Sequence, residues 1–563
     1  MNRKISNLGL LVFLTALLFF TSCADMNEAD NSEYSFDPTL ITEAENLLGI
    51  SFDTAEQRMM QPNLVRALQS YEQLRSKSLD NGVYPAIVFN PLLPGRGIPE
   101  TVESQQWFLP DKVARPESDT DLAFMSVGEL AYLIRTGQIT STELTKIYLD
   151  RLKRHGDTLK CVITLTENLA LEQAAGADRE IAAGNYRGPL HGIPYGVKDL
   201  LAVEGYKTTW GAGPYREQVR VETATVVRKL EEAGAVLVAK LSMGALAMGD
   251  LWFEGRTLNP WNMEQGSSGS SAGSASSTAA GLVAFSIGTE TLGSIVSPST
   301  RCGVTGLRPT FGRVSRSGAM ALSWSMDKIG PICRSAADAA LVFGVIRGSD
   351  GEDPTVVDMP FNYRGQSDIR TLRIGYLKSL FDGDYDNRDN DQAVLETFRE
   401  MGVDLIPVEM DFGDLPLQSL RIILTAEAAA AFDELTRKDM DALLAGQGRG
   451  DWPNTFRAAR FIPAVEYIQA NRHRTVLMEE MELIMKDYDV VIAPSFRGNQ
   501  LLVTNLTGHP CCVVPDGYDE KGNPASISFI GRLFDEASIL MAARAYQEAT
   551  NFDEQHPPLF SNE

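Results

Sequence analysis

Histidine is scarce in this sequence, which has five among 563 residues. No two of them stand at the short spacing of a zinc-binding motif; they are His155, His191, His473, His509 and His556. The histidine content therefore argues against a zinc hydrolase.

Cysteine is nearly as rare, with six in the chain. Apart from Cys23 there are five, an odd number at irregular spacing, which excludes a disulfide framework. We expect these five to be mostly buried, small apolar residues: Cys161, Cys302, Cys333, Cys511 and Cys512.

Positive charge is also in short supply. Lysine and arginine number 51 against 74 acidic residues, which gives a formal net charge of −23. Such a surface repels nucleic acid and anionic lipid head groups. The charge balance therefore gives no basis for a nucleic-acid partner.

Long hydrophobic runs are lacking as well. The apolar run from Leu8 to Phe20 follows Arg3 and Lys4 and is too short to span a bilayer. A basic start, a short apolar region and small residues before Cys23 predict a signal peptide over residues 1–22. The alternative is an N-terminal membrane-anchor helix.

Cys23 directly follows two small residues and resembles the lipidated cysteine of a bacterial lipoprotein. We expect cleavage before Cys23, lipidation of its thiol and a polar, acidic tether over residues 23–36. The protein is then exported and held at the bacterial cell envelope, and it touches the membrane through the lipid anchor alone.

The remaining chain divides into two parts. Residues 37–120 are predicted to form a helical N-terminal extension, with an apolar stripe at Leu64, Leu68, Tyr71 and Leu74, followed by an extended Pro-rich arm over the surface. Residues 121–555 are predicted to form the catalytic domain.

Short apolar runs alternate with helical patterns throughout the second part. Two helices with an N-cap near Thr140 are predicted before residue 160. The apolar runs that predict strands are 235–240, 282–288, 372–377 and 488–495. This alternation predicts an α/β domain with a sheet covered by helices.

Within that domain, "QGSSGSSAGSASSTAAG" (265–281) has the composition of a flexible linker. A linker there would cut the sheet in two, because a predicted strand follows directly. Two other catalytic serine motifs in the sequence lack a part that they require. "GSSAG" around Ser271, with His509 as base, lacks the strand that a nucleophile elbow needs before it. "SMDK" (325–328) matches the S-x-x-K motif of penicillin-recognising enzymes, but the separate K-T-G motif that these enzymes also carry is missing.

A larger pattern places Lys198 in an apolar run and continues with "GSSAGSASSTAAG", "GTETLGS" and "CGVTGLRPT" in that order. It resembles the amidase signature family over roughly residues 122 to 551. The resemblance implies an α/β fold with a large mixed central β-sheet and helices on both faces. "GTET" is more similar to the peptide-amidase branch than to the transamidation subunits.

By this resemblance Ser294 is the nucleophile, Ser270 the bridging serine and Lys198 the base. Ser270 is chosen because the family's bridging serine follows a glycine and lies 24 positions before the nucleophile. Burial in an apolar strand lowers the pKa of a lysine, which can then accept a proton. The resemblance also implies a cis peptide bond between Gly269 and Ser270, with Gly269 and Ser271 as supporting residues.

The backbone amides of the turn after the strand are implied as the oxyanion hole: Thr291, Leu292, Gly293 and Ser294. Glu290 and Leu292 depart from the commonest family pattern, and we expect Leu292 to narrow the pocket mouth. We expect Asp199 to be structural, and His509 to line or support the core.

The sequence thus predicts an amidase that hydrolyses a small-molecule or peptide amide through an acyl-enzyme, as a monomer or homodimer. No metal or organic cofactor is implied. One alternative is the glutamine amidase subunit of a tRNA-dependent amidotransferase, which the export signal opposes. Another is a lipoprotein that binds amides without turnover.

Overall fold

The computed structural model describes residues 37, 39–95 and 102–561. The predicted signal peptide, Cys23 and the tether lie outside these residues, and the predicted domain boundaries stay predictions. The chain divides into two compact units, residues 1–79 and residues 80–563. No helix in the described part is long and apolar enough to cross a membrane.

The first unit contains two helices, α1 (Thr39–Leu48) and α2 (Thr54–Arg75). Asp53 caps α2: its carboxylate accepts from the amides of Ala55 and Glu56, which satisfies donors that the first helical turn leaves free. Most of the predicted apolar stripe on α2 is exposed, and Leu74 has 75% of its surface accessible. The helical prediction for this region is confirmed.

The strands of the described chain are β1 (Val162–Leu165), β2 (Pro194–Lys198), β3 (Val236–Leu241), β4 (Leu251–Trp252), β5 (Gly255–Arg256), β6 (Leu258–Asn259), β7 (Asn262–Gly266), β8 (Phe285–Glu290), β9 (Thr305–Arg308), β10 (Lys328–Cys333), β11 (Ile374–Leu377), β12 (Ile406–Val408), β13 (Val490–Pro494), β14 (Cys511–Tyr518) and β15 (Pro524–Gly531). Eleven of them form one mixed sheet in the order β1-β3-β2-β8-β10-β9-β14-β15-β13-β11-β12. Strand β2 is parallel to β3 and β8, and β11 is parallel to β12 and β13. There are also two small hairpins, β4–β5 and β6–β7, and β7 contains the first two residues of the Gly/Ser run.

Helices pack on this sheet, which confirms the predicted α/β class. The helices of the second unit are α3 (Asp119–Phe124), α4 (Val127–Arg135), α5 (Ser141–Leu159), α6 (Glu167–Ala182), α7 (Thr225–Glu232), α8 (Ala272–Ala279), α9 (Val296–Cys302), α10 (Ala336–Ile346), α11 (Lys378–Phe381), α12 (Arg388–Glu400), α13 (Ile422–Ala431), α14 (Asp433–Arg437), α15 (Trp452–Ala459), α16 (Ala464–Met485), α17 (Gln500–Thr507), α18 (Glu536–Thr550) and α19 (Pro558–Ser561). Thr140 caps α5 as predicted, with Glu143 completing a capping box.

The central strands are buried along their whole length. Every residue of β2, β3, β8, β10 and β13 is buried, as expected for apolar strands with both faces covered. The five cysteines of the described chain are buried and unbridged, which confirms that prediction.

Candidate active site

The site forms where two neighbouring parallel strands end. Strand β2 ends at Lys198, and β8 ends at Glu290. Because the strands are parallel and paired from Tyr195 to Val197, their carboxyl ends lie at the same edge of the sheet. The Gly/Ser run reaches the same edge, and α8 begins there.

Lys198 lies within hydrogen-bond distance of three hydroxyls. Its Nζ is 2.8 Å from the Ser270 Oγ, 2.9 Å from the Thr289 Oγ1 and 3.2 Å from the Ser271 Oγ. The Thr289 carbonyl oxygen is 3.4 Å away. The structure therefore brings the predicted base and the predicted bridging serine into direct contact.

Lys198 is completely buried and forms no ion pair with any described residue. Burial lowers the pKa of its ammonium to about 7, against the opposing charges of Asp327 and Glu290. At neutral pH a substantial fraction of the amine is uncharged. A neutral amine can accept the proton of a bonded hydroxyl.

The Gly/Ser run is a buried scaffold and not a linker. The peptide bond between Gly269 and Ser270 is cis, as the resemblance implied. A side chain at Gly269 would place its Cβ 1.8 Å from the Gly249 carbonyl oxygen, so only glycine fits there. All eight residues of α8 are buried, and the Ser274 hydroxyl donates to the Ile287 carbonyl oxygen at 3.1 Å.

Ser294 lies in the turn between β8 and α9, with 8% of its surface accessible. Its carbonyl oxygen accepts from the Ser271 amide at 3.2 Å, which ties this turn to the Gly/Ser run. Gly293 has a φ of +83°, a left-handed conformation that favours glycine. The turn therefore holds the predicted nucleophile beside the segment that carries Ser270.

The turn also presents free backbone donors. Within the described residues, no acceptor bonds the amides of residues 291–294. The next two amides, of Ile295 and Val296, donate to the Glu290 Oε2 at 2.8 and 3.0 Å. Four consecutive unpaired amides beside a buried serine are what an oxyanion hole requires.

The Glu290 carboxylate holds this turn through the amides of Ile295 and Val296, a role that the sequence did not reveal. Its Oε1 accepts from Arg308 at 2.9 Å and from the Asn505 amide group at 2.8 Å. Burial would raise the pKa of this carboxyl, but the charge and hydrogen bond of Arg308 outweigh it and hold the pKa at about 2. Glu290 is therefore a charged anchor at every working pH.

Asp199, the neighbour of Lys198 in the chain, pairs with a second buried lysine. Its Oδ1 is 2.9 Å from the Lys240 Nζ, and both side chains are fully buried. Its Oδ2 accepts from the amide and the hydroxyl of Thr209 at 2.7 and 2.5 Å. These contacts agree with the structural role that the sequence suggested.

His509 is a core residue. Its Nδ1 is 2.8 Å from the Thr507 Oγ1, and its carbonyl oxygen accepts from Arg308 at 3.1 Å. Burial, aided by the charge of Arg308, lowers its pKa to about 3. Ser271, the other member of the rejected Ser–His pair, bonds to Thr289 and Lys198 instead.

A cavity of about 170 Å³ adjoins the site. Thr289 and Thr291 line it, and the Thr291 hydroxyl donates to the Asp327 carboxylate at 2.5 Å. Leu292 is partly buried against an apolar cluster that includes Leu502, and its place at the pocket mouth stays a prediction. No group of acidic, histidine or cysteine side chains in the described chain could hold a metal ion.

Comparison with known proteins relates this site to enzymes of one family. The family model described as Amidase matches residues 143–502. A glutamyl-tRNA(Gln) amidotransferase subunit from Roseiflexus castenholzii is 33% identical over 484 residues, which cover 78% of this chain and 98% of that protein. The corresponding subunit from Heliobacterium modesticaldum is 33% identical over 479 residues, which cover 77% and 98%.

Solved structures of amidases are also similar to this chain. The peptide amidase of Stenotrophomonas maltophilia superposes with a TM-score of 0.68 at 28% identity, covering 77% of this chain and 98% of that one. An amidase family protein of Bacillus anthracis gives a TM-score of 0.69 at 27% identity, covering 78% and 94%. By sequence and by structure, the chain belongs to the amidase family and is a C–N hydrolase.

Proposed function

We propose that the protein hydrolyses a carboxamide to a carboxylate and ammonia or an amine, with Ser294, Ser270 and Lys198 as the catalytic groups. The observation that carries this proposal is the 2.8 Å contact between the Lys198 Nζ and the Ser270 Oγ. It joins a lysine whose pKa is about 7 to a serine on the segment that bonds the Ser294 backbone.

In the first half of the reaction, the Ser294 Oγ attacks the amide carbonyl. Its proton passes to Ser270, whose own proton passes to the neutral Lys198 amine. The negative charge on the carbonyl oxygen is held by the backbone amides of residues 291–294. The C–N bond then breaks, and the departing amine takes the proton that the lysine received.

The acyl-enzyme is hydrolysed by the same groups in the second half. Lys198, again neutral, removes a proton from water through Ser270. The resulting hydroxide attacks the acyl carbonyl, the bond to the Ser294 Oγ breaks, and the proton returns to that oxygen. No step uses a group outside this chain, its substrate and water.

The proposal includes export and lipidation at Cys23, with the enzyme held at the bacterial cell envelope and acting as a monomer or homodimer. The predicted signal peptide supports it. We also infer a peptide-amidase-like activity, which suits this location. The similarity to a solved peptide amidase supports that activity.

A second candidate is glutamine amidase activity, because relatives at 33% identity are amidotransferase subunits. The two candidates differ in substrate and in partners. Ammonia released from free glutamine only when partner subunits are added would favour the second.

The test is ammonia and amine release by the full chain across peptide amides, aliphatic amides, aryl amides, N-acyl amines and glutamine. Ser294→Ala should abolish release. Ser297→Ala is the matched control, because Ser297 lies three residues further on and, among the described residues, its hydroxyl bonds only that of Ser268, at 2.7 Å. Equal activity in wild type and Ser294→Ala would refute the mechanism.

A further inference from the structure

Residues 80–95, here called the arm, precede the segment that matches the family model. The arm is fixed at its start. Both carboxylate oxygens of Asp80 accept from Arg220, at 2.8 and 3.1 Å. Asn81 bonds Ala321 in both directions: its amide group donates to the Ala321 carbonyl at 2.9 Å and its Oδ1 accepts from the Ala321 amide at 2.7 Å.

These bonds bring the arm to the cavity beside the active site. Gly82 and Tyr84 of the arm line that cavity, and so does Ala321. The arm is therefore part of the cavity wall and is held there by the bonds between Asn81 and Ala321. The sequence had suggested only an arm over the surface.

Tyr84 is held by a rigid neighbour. The Arg316 guanidinium lies 5.3 Å from the centre of the Tyr84 ring, a cation–π contact. Arg316 is itself bonded to the Asp353 carboxylate at 3.0 Å and to the Thr355 hydroxyl at 2.9 Å. The ring therefore packs against a side chain that cannot easily turn away.

The rest of the cavity wall is mostly apolar, and its charged groups already have partners. Asp327 accepts from Thr291 and from the Leu322 and Ser323 amides. Apolar side chains complete the wall: Leu200, Ala247, Met320, Leu322, Trp324 and Ile329. Asp327 and Lys328, which also lines the cavity, are hydrogen-bonded within the protein but form no ion pair with a described residue. Most of the surface that a substrate group would meet here is therefore apolar.

The cavity is also small. Its volume of about 170 Å³ is below the roughly 300–1,000 Å³ of pockets that hold drug-sized ligands. It meets the reacting groups at Thr289, whose hydroxyl contacts Lys198, and at Thr291 of the amide turn. A group bound there is therefore next to the carbonyl that Ser294 attacks.

We propose that Tyr84 is a specificity-determining residue and limits the group beside the scissile carbonyl to a compact, apolar one. This inference rests on the proposed function, since it takes Ser294 as the reacting residue. Removing the ring should open the cavity along the arm and admit longer apolar chains.

The test measures how fast fluorophosphonates with ethyl, butyl and octyl chains label Ser294 in the full chain. In this reaction the Ser294 Oγ bonds phosphorus and fluoride leaves, so no amide substrate has to be known. The variants are Tyr84→Ala, Tyr84→Phe, which keeps the ring, and Ile87→Ala, a matched control in the same arm with 89% of its surface exposed. Ser294→Ala identifies the labelled residue.

We expect Tyr84→Ala to raise the octyl-to-ethyl ratio of labelling rates at least about tenfold, the effect of removing a steric limit from an apolar pocket. Tyr84→Phe and Ile87→Ala should leave the ratio near that of wild type. Labelling at Ser294 with the same ratio in Tyr84→Ala and wild type would overturn this inference alone. Failure of wild-type Ser294 to react with any of the three probes would overturn the proposed function, and the inference with it.

Discussion

Replacing two buried lysines on neighbouring strands, Lys198 and Lys240, by methionine should change the stability of the protein in opposite directions. Within the part of the chain that the structure describes, Lys198 has hydroxyl partners and no carboxylate partner, whereas the Lys240 Nζ lies 2.9 Å from the Asp199 carboxylate. Methionine keeps much of the side-chain volume and removes the charge. Lys198→Met therefore removes a buried charge that destabilises the folded protein. Lys240→Met leaves the buried Asp199 carboxylate without its cation, which destabilises it.

The size of the Lys198 effect follows from its pKa. The pKa is 10.5 for an unperturbed lysine and about 7 in the folded protein. Below pH 7 both states carry the proton, and the full difference, about 5 kcal/mol as an upper bound, destabilises the fold. Between pH 7 and 10.5 the unfolded state binds more protons, so the destabilisation fades as the pH rises.

The assay is urea unfolding of wild type and both variants at pH 6 and 9.5. The stability of Lys198→Met relative to wild type should be greater at pH 6 than at pH 9.5 by about 3 kcal/mol. Lys240→Met should lose about 3–5 kcal/mol at pH 7, the usual result of breaking a buried ion pair. The reasoning about Lys198 fails if the relative stability of Lys198→Met is the same at both pH values.

Three further predictions follow from the described contacts. Glu290→Gln should lower stability by about 3–5 kcal/mol in urea unfolding, because Arg308 loses its buried counter-charge; an unchanged midpoint would contradict this. Ser270→Ala should slow fluorophosphonate labelling of Ser294 by about 10² or more, as expected for loss of proton transfer; a loss in Ser271→Ala equal to that in Ser270→Ala would show that the two serines share the relay. Asp516→Asn should raise the Tm by about 2 °C or more at pH 8 and should change it little at pH 4. Burial and the neighbouring Asp391 raise the pKa of Asp516 well above 3.8, so its ionisation at higher pH opposes folding. An equal gain in Tm at both pH values would contradict this prediction.

Strands could be predicted wherever burial made the sequence continuously apolar. The runs 235–240 and 488–495 became β3 and β13 with boundaries within two residues. The run 282–288 was less well placed, since β8 begins only at Phe285. The three residues before it are buried in the connection from α8, and apolar composition alone does not distinguish a buried connection from a strand.

The site residues were chosen from motif order, and the structure brings Lys198 and Ser270 together. What supports them could not be predicted, because it depends on contacts between residues far apart in the sequence. Glu290 and Asn505 are 215 positions apart, and Asn81 and Ala321 are 240 apart. No local pattern marks such pairs, and so the buried anchor of the amide turn and the arm's place in the cavity wall appear only in the fold.

The buried Gly/Ser run has a consequence for mutational tolerance. By composition it is of low complexity, the kind of segment in which substitutions are usually harmless. Here a Cβ at Gly273 would lie 2.4 Å from the Cys161 carbonyl oxygen and 2.5 Å from the Ser242 amide nitrogen, so even alanine does not fit. A saturation scan of this chain should find its most monotonous segment to be among its least replaceable.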